Sequence, residues 1–308
     1  MHAWIPGRGG AEPIVMAEVD RPRPAPDEVV VSVAAYSINR GETFLLEVPP
    51  PGWRPGKDVA GTVVRAAIDG GPEVGRRVVA HPEQGGWAQE VAVPVSKVAA
   101  LPDTLATTTA AALPLAGLTA LRMIRALGSL AGRRILLTGA SGGVGHYFTE
   151  LAAGQGALVT AVVSTPQRGR RLIERGATEL VDDVEKAEGP FDVVAESVGG
   201  STFPAAFSRL HPRGLFLWFG QASRTPPTMD FFDWRGGASA TLRKFSYVDS
   251  DIPDGEDLAT LVRLVTGGRL HPEIGRVESW RKTPELLRAL VARDIRGNAV
   301  LTVDSQRD

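Results

Sequence analysis

The sequence predicts an α/β protein in two parts, a mostly-β portion and a doubly wound parallel sheet. Three observations carry that prediction. The chain has 308 residues, and at about 100–200 residues per domain that length favours two domains over one. Short strands separated by Gly- and Pro-rich turns crowd the N-terminal third, with little helical periodicity. Beyond it, strands and helices alternate around a glycine-rich turn.

Taken in order, Val29–Val33 reads as a strand between Pro24–Asp27 and a polar loop. Ala60–Val64, Arg77–Ala80 and Gln89–Val93 follow, each bounded by turn residues. The texture changes near residue 105, where Leu105–Leu127 is rich in Ala and Leu at helical spacing. That helix is broken at Pro114 and ends on Gly128, a fitting C-cap. Buried-strand runs then occur at 134–138, 158–163, 179–181, 191–195 and 214–219, with helices at 143–153 and 168–175. Continuous Val/Ile/Leu strands alternating with helices are the mark of a parallel sheet covered on both faces. A helix (256–266), a strand (274–278), a helix (284–292) and a strand (299–303) close the chain.

Composition removes several function classes. The net charge is -1, so there is no Lys/Arg excess to bind nucleic acid or an anionic membrane surface. The chain has no cysteine, which excludes disulfides, thiolate metal sites and a Cys nucleophile. The five histidines, His2, His81, His146, His211 and His271, are scattered without metal-ligand spacing, so no metal site is expected. The longest apolar run, Ala110–Leu121, is interrupted by Pro114 and Gly117 and falls short of the ~20 residues a membrane helix needs. Met1–Gly7 lacks a basic region leading into an apolar one, so a cytoplasmic protein without a signal peptide is expected.

Chemistry concentrates in the run from Ile135 to Gly145, a buried strand that passes through Gly139, Gly142 and Gly143 into a helix. Glycines let the backbone approach a pyrophosphate, and the helix N-terminus offers it N–H groups and a positive dipole end. Ser141, Gly142, Gly143 and Val144 are the candidate contacts. An NAD-specific unit usually ends its second strand with an acid about 20 residues on, to hold the ribose 2′-hydroxyl. Here Val162-Val163 is followed by Ser164-Thr165-Pro166-Gln167-Arg168, with no carboxylate. Hydroxyls and a guanidinium suit a 2′-phosphate. NADP(H) is therefore the expected cofactor, held by Ser164, Thr165 and Arg168, whereas Arg170 and Arg171 read as a solvated helix face. The short-chain dehydrogenase pattern fails, because none of Tyr36, Tyr147 and Tyr247 has a lysine four residues on.

The succession Pro26–Val31, Ser37–Asn39, Pro55–Gly61, Val74–Val79, Gly85–Gln89, Leu113–Ala120, the glycine turn and Arg296–Leu301 resembles the medium-chain dehydrogenase/reductase superfamily, in its zinc-free quinone oxidoreductase branch. The resemblance spans essentially the whole chain. It implies a GroES-like domain (1–112 with 256–308), a Rossmann domain (113–255) and an active site between them. Zinc-dependent members have a cysteine at Asn39 and Gly-His-Glu at Gly56-Lys57-Asp58, so the resemblance implies no zinc. Without that Lewis acid, simple alcohol oxidation is disfavoured.

What the resemblance leaves is hydride transfer from NADPH to a quinone or an α,β-unsaturated carbonyl, whose developing oxyanion needs only hydrogen bonds. By similarity, Asn39, Arg40 and Thr119 would supply them. Arg40 stands where enoyl-reducing relatives often carry tyrosine, and it equally reads as an ion-pair partner of Glu42. Further cofactor contacts implied are Ser197, Val198, Phe219, Gly220, Gln221 and Phe245, with Asn298 where a lysine would be usual. Phe44, Leu45, Trp53, Phe231, Phe232 and Trp234 suit an acceptor pocket or, equally, core and subunit contacts. A homodimer through the far edge of the parallel sheet, residues 238–245, is the family's expectation. A pathway-dedicated enoyl reductase and a non-catalytic NADPH sensor are the alternative functions.

Overall fold

The computed structural model describes residues 1–7, 12–232 and 236–304. It divides into two compact units, Met1–Leu118 with Asp251–Asp308, and Thr119–Ser250. A helix expected whole in the second domain opens in the first unit.

The chain begins with an antiparallel pair, β1 (His2–Pro6) and β2 (Ile14–Glu18), which the sequence reading missed. β3 (Glu28–Ile38), α1 (Arg40–Leu45), β4 (Asp58–Arg65), β5 (Arg77–Ala80), β6 (Glu90–Pro94) and β7 (Val98–Ala100) follow, then α2 (Thr107–Ala111) and α3 (Pro114–Leu127). The polar loop expected after Val33 is instead the second half of β3. One edge of it pairs with β4 through two register shifts, and on the other edge its first half pairs with β6 and its second half with a strand from the chain's end. Ladder bonds of that distant partner make a strand of residues whose local pattern is ambiguous. Behind it, Tyr36 and Trp87 stack with centroids 5.8 Å apart, and Trp87 Nε1 donates to the Ser37 carbonyl.

The second unit contains β8 (Arg134–Leu137), α4 (Gly143–Ala153), β9 (Leu158–Val162), α5 (Pro166–Glu174), β10 (Ala177–Val181), β11 (Phe191–Glu196), α6 (Thr202–Phe207), β12 (Leu210–Trp218) and β13 (Thr241–Lys244). Among the described residues its sheet runs β10-β9-β8-β11-β12-β13, with every pairing parallel. This is the Rossmann order, and strand order reverses between β8 and β11.

The chain returns to the first unit as α7 (Asp254–Thr266), β14 (Ile274–Ser279), α8 (Thr283–Val291) and β15 (Asn298–Thr302). β15 inserts antiparallel beside β3 and completes the order β14-β15-β3-β4-β5-β7, with β6 on β3. The unit is thus built from both chain ends. Its core joins Val29, Val31, Val59, Val78 and Trp87 to Leu286, Ala299 and Leu301. No helix among the described residues is long and apolar enough to cross a membrane.

Candidate active site

In the second unit the candidate site lies where ligands bind open parallel sheets, at the carboxyl ends beside the strand-order reversal. β8 ends at Leu137 and runs into the glycine turn, which its neighbour β11 fixes from the side. Thr138 N–H donates to the Ala195 carbonyl at 3.0 Å, and Thr138 Oγ1 accepts the Ser197 N–H at 3.0 Å. Gly139 has φ +62, and a Cβ there would lie 2.7 Å from Ser197 Oγ. At Gly145 a Cβ would lie 2.2 Å from the Ala140 carbonyl oxygen, so α4 seats backbone against backbone on the turn. Gly142 is the N-cap of α4 and supplies no side-chain cap. The first-turn N–H groups of Gly143, Val144 and Gly145 are thereby donors suited to an anion.

Strand β9 ends beside this turn. Ser164 and Thr165 are exposed, and Thr165 is the N-cap of α5 without a side-chain cap. From the first turn of α5, Arg168 reaches back so that its Nε donates to Ser141 Oγ at 3.3 Å. Two residues 27 positions apart, one chosen for a pyrophosphate and one for a 2′-phosphate, are therefore in contact.

Glu196 went unrecognised in the sequence. It is fully buried at the end of β11. Its Oε1 accepts from Val198 N–H at 2.6 Å, from Gly199 N–H at 2.8 Å and from Thr138 Oγ1 at 3.4 Å. One carboxyl oxygen thus ties the glycine turn to the Ser197-Val198 loop. Burial pushes its pKa above the usual carboxylate range, against the hydrogen bonds that lower it. Phe219 and Phe245 extend the same edge, through Phe219 N–H to the Glu196 carbonyl and Phe245 N–H to the Trp218 carbonyl. Gly220 accepts from Trp218 Nε1 at 2.6 Å, and Gln221 accepts at its carbonyl from Arg224 N–H. Thr119 is buried in α3. Phe231 and Phe232 project into solvent, 87% and 69% exposed, and Trp234 lies outside the described residues.

Asn39, Arg40 and Asn298 belong to the first unit. Asn39 follows β3 and is the N-cap of α1 in extended conformation. Its backbone N–H donates to Glu42 Oε2 at 2.9 Å, and Glu42 Oε1 accepts the Gly56 N–H at 2.8 Å. The Asn39 side chain faces the Glu42 backbone N–H in the same capping box, and its Nδ2 donates to Asp58 Oδ2 at 2.7 Å. Asp58 is fully buried and also accepts from Ser37 Oγ at 2.6 Å and from Leu115 N–H at 2.9 Å. His81 Nδ1 lies 3.4 Å from Asp58 Oδ1. Burial and the neighbouring Asp58 charge push the Glu42 pKa up to about 8.

Arg40 donates from Nη2 to the Leu290 carbonyl at 2.8 Å, at the negative end of the α8 dipole. Asn298 donates from its backbone and from Nδ2 to the Glu273 carbonyl. Phe44, Leu45 and Trp53 of this unit are half-buried.

Both family descriptions match this chain. An alcohol dehydrogenase GroES-like domain covers residues 25–103, and a zinc-binding dehydrogenase domain covers residues 143–266. The corner at Asn39 does not suit the metal that the second description names. Hydrogen-bond donors already occupy both Asp58 oxygens, and the neutral amide of Asn39 is not among the usual zinc ligands, which are Cys, His and carboxylate. Among the described residues no group of three His, Cys, Asp or Glu side chains could hold a metal ion.

A quinone oxidoreductase of Salmonella typhimurium is 31% identical over 70% of this chain and 71% of its own length. The mitochondrial NAD(P)H oxidoreductase of Bos taurus is 28% identical over 98% of this chain and 89% of its own. A mycobacterial protein solved in complex with NADPH superimposes with a TM-score of 0.88 at 25% identity, covering 98% of this chain and 100% of that one.

Proposed function

This chain belongs to the medium-chain dehydrogenase/reductase superfamily, in its zinc-free quinone oxidoreductase branch, and on that premise we propose that it is a zinc-independent reductase. It transfers a hydride from NADPH to a quinone or an α,β-unsaturated carbonyl. The observation that carries the proposal is the contact of Arg168 with Ser141, which joins a guanidinium to the glycine turn where β9 ends without a carboxylate. The residues there fit NADPH. Ser141, Gly142, Gly143 and Val144 would hold the pyrophosphate through backbone N–H groups. Ser164, Thr165 and Arg168 would hold the 2′-phosphate. The loops carrying Ser197, Val198, Phe219, Gly220, Gln221 and Phe245, with Asn298 from the first unit, would line the nicotinamide end.

When bound, the cofactor supplies the hydride. The chain's own groups orient the acceptor and stabilise the oxyanion that develops on it. In this proposal Asn39, Arg40 and Thr119 donate to that oxygen. A guanidinium has five N–H donors, and Arg40 gives one of them to the Leu290 carbonyl. Its proton is too tightly held to be transferred, so water protonates the product. We also infer a homodimer. All four residues of the edge strand β13 are exposed, as a strand awaiting a second copy would be.

Two experiments test this reading. Turnover of NADPH with a small quinone should be clear, and absence of turnover with every quinone and activated enone tried would end the proposal. Exhaustive chelation should leave that rate unchanged, whereas loss with rescue by zinc would overturn zinc independence.

A further inference from the structure

We propose that Asp58 is the positioning residue of this site, setting which face of the Asn39 amide is turned toward the acceptor. The inference rests on the reading above for what Asn39 does, and on geometry for how it is held. An amide has two chemically opposite ends, and rotation of its terminal torsion by half a turn exchanges donor for acceptor. A carboxylate only accepts, so the group facing it must be the NH2. The Asn39 Nδ2 to Asp58 Oδ2 distance of 2.7 Å therefore fixes the remaining Nδ2–H and Oδ1 in one arrangement.

Asp58 is itself immobilised. It sits at the start of β4, fully buried, and its oxygens are engaged by Ser37 Oγ and by Leu115 N–H in the first turn of α3. Glu42 pins the Asn39 backbone and turns its own N–H toward the Asn39 side chain, and Asp58 holds the NH2 end of the amide. That division distinguishes a positioning role from a purely structural one.

Asp58→Asn is the discriminating change. It keeps shape but places an NH2 among donors, and relief comes when the Asn39 amide rotates to accept from it. In the wild type, one Asn39 Nδ2–H should be shifted downfield in the proton–nitrogen NMR spectrum and exchange slowly with water. In D58N that signal should disappear and kcat should fall at least tenfold, with KM for the quinone and Kd for NADPH within twofold of wild type. In an Asn39→Ala background, D58N should change kcat by less than twofold, because the group it acts through is already gone.

Equal loss of kcat from D58N with and without Asn39 would overturn the proposal, as would an unchanged kcat. Rapid exchange of both Asn39 Nδ2–H protons in the wild type would also overturn it, and needs no variant to fold. Should the wild type reduce no acceptor, the hydride-transfer reading fails, and the amide signal still decides whether Asp58 orients Asn39.

Discussion

The candidate residues fall into two halves, one in each unit, that are built from opposite materials. In the second unit the surface offered to a ligand is mostly backbone, a glycine turn and an uncapped helix, with exposed hydroxyls and one guanidinium beside it. In the first unit the corresponding chemistry lies in buried side chains, with Ser37 and Asn39 donating to Asp58 and Glu42 accepting the Gly56 backbone N–H. Both halves are organised around a carboxyl group withdrawn from water, Glu196 in one and Asp58 in the other. Glu196 acts mainly on backbone, tying two loops together, whereas Asp58 acts mainly on the side chains of Ser37 and Asn39. A pyrophosphate is recognised alike in many proteins and can be met by main chain. An acceptor that differs from protein to protein must be met by side chains.

Breaking each half should give different symptoms. The largest effect is expected from Gly145→Val, whose Cβ would lie 2.2 Å from the Ala140 carbonyl oxygen. Displacing α4 should cost about 3 kcal/mol of stability and abolish cofactor binding, as read by urea unfolding and NADPH fluorescence. Asn39→Ala comes next. It should lower kcat by about 100-fold, the scale for losing one oxyanion donor, while stopped-flow titration finds NADPH bound as in the wild type. A parallel loss of NADPH affinity would mean that the first-unit corner serves the cofactor instead.

The smallest effect is a pH dependence. The Glu42 pKa, about 8 in the folded protein against 4.5 for the unperturbed group, means that the folded state holds a proton which the unfolded chain releases. This contribution to stability is fully present below pH 4.5 and is lost as pH rises through about 8. Glu42→Gln cannot ionise, so its stability relative to wild type should improve from pH 5 to pH 9 in urea titrations. Parallel pH curves for the two proteins would contradict that account.

The contrast also explains what the sequence makes legible. The Rossmann unit can be read because its strands, its helices and its glycine turn are local patterns, and β8, α4, β9 and β11 fall within a few residues of expectation. The extension of β3 to Ile38 cannot be read locally, because the partners that make it a strand are β4 on one side and, more than 250 residues later, β15 on the other. Glu42 could have been found, since Asn39-x-x-Glu42 has the spacing of a helix capping box. Asp58 and Glu196 carried a weaker signal, each an acid at one end of a largely apolar strand. Only the folded chain reveals the donors gathered around them.

The central claim, that the glycine turn and Arg168 together hold NADPH, is tested most directly by titrating wild type and Arg168→Ala with NADPH and with NADH. The account predicts that the wild type prefers NADPH. It predicts that the substitution weakens NADPH by about 1.5–3 kcal/mol, roughly 10- to 100-fold, through loss of a charge-assisted phosphate contact, and leaves NADH nearly unchanged. Equal weakening of both cofactors, or a wild type that prefers NADH, would contradict it.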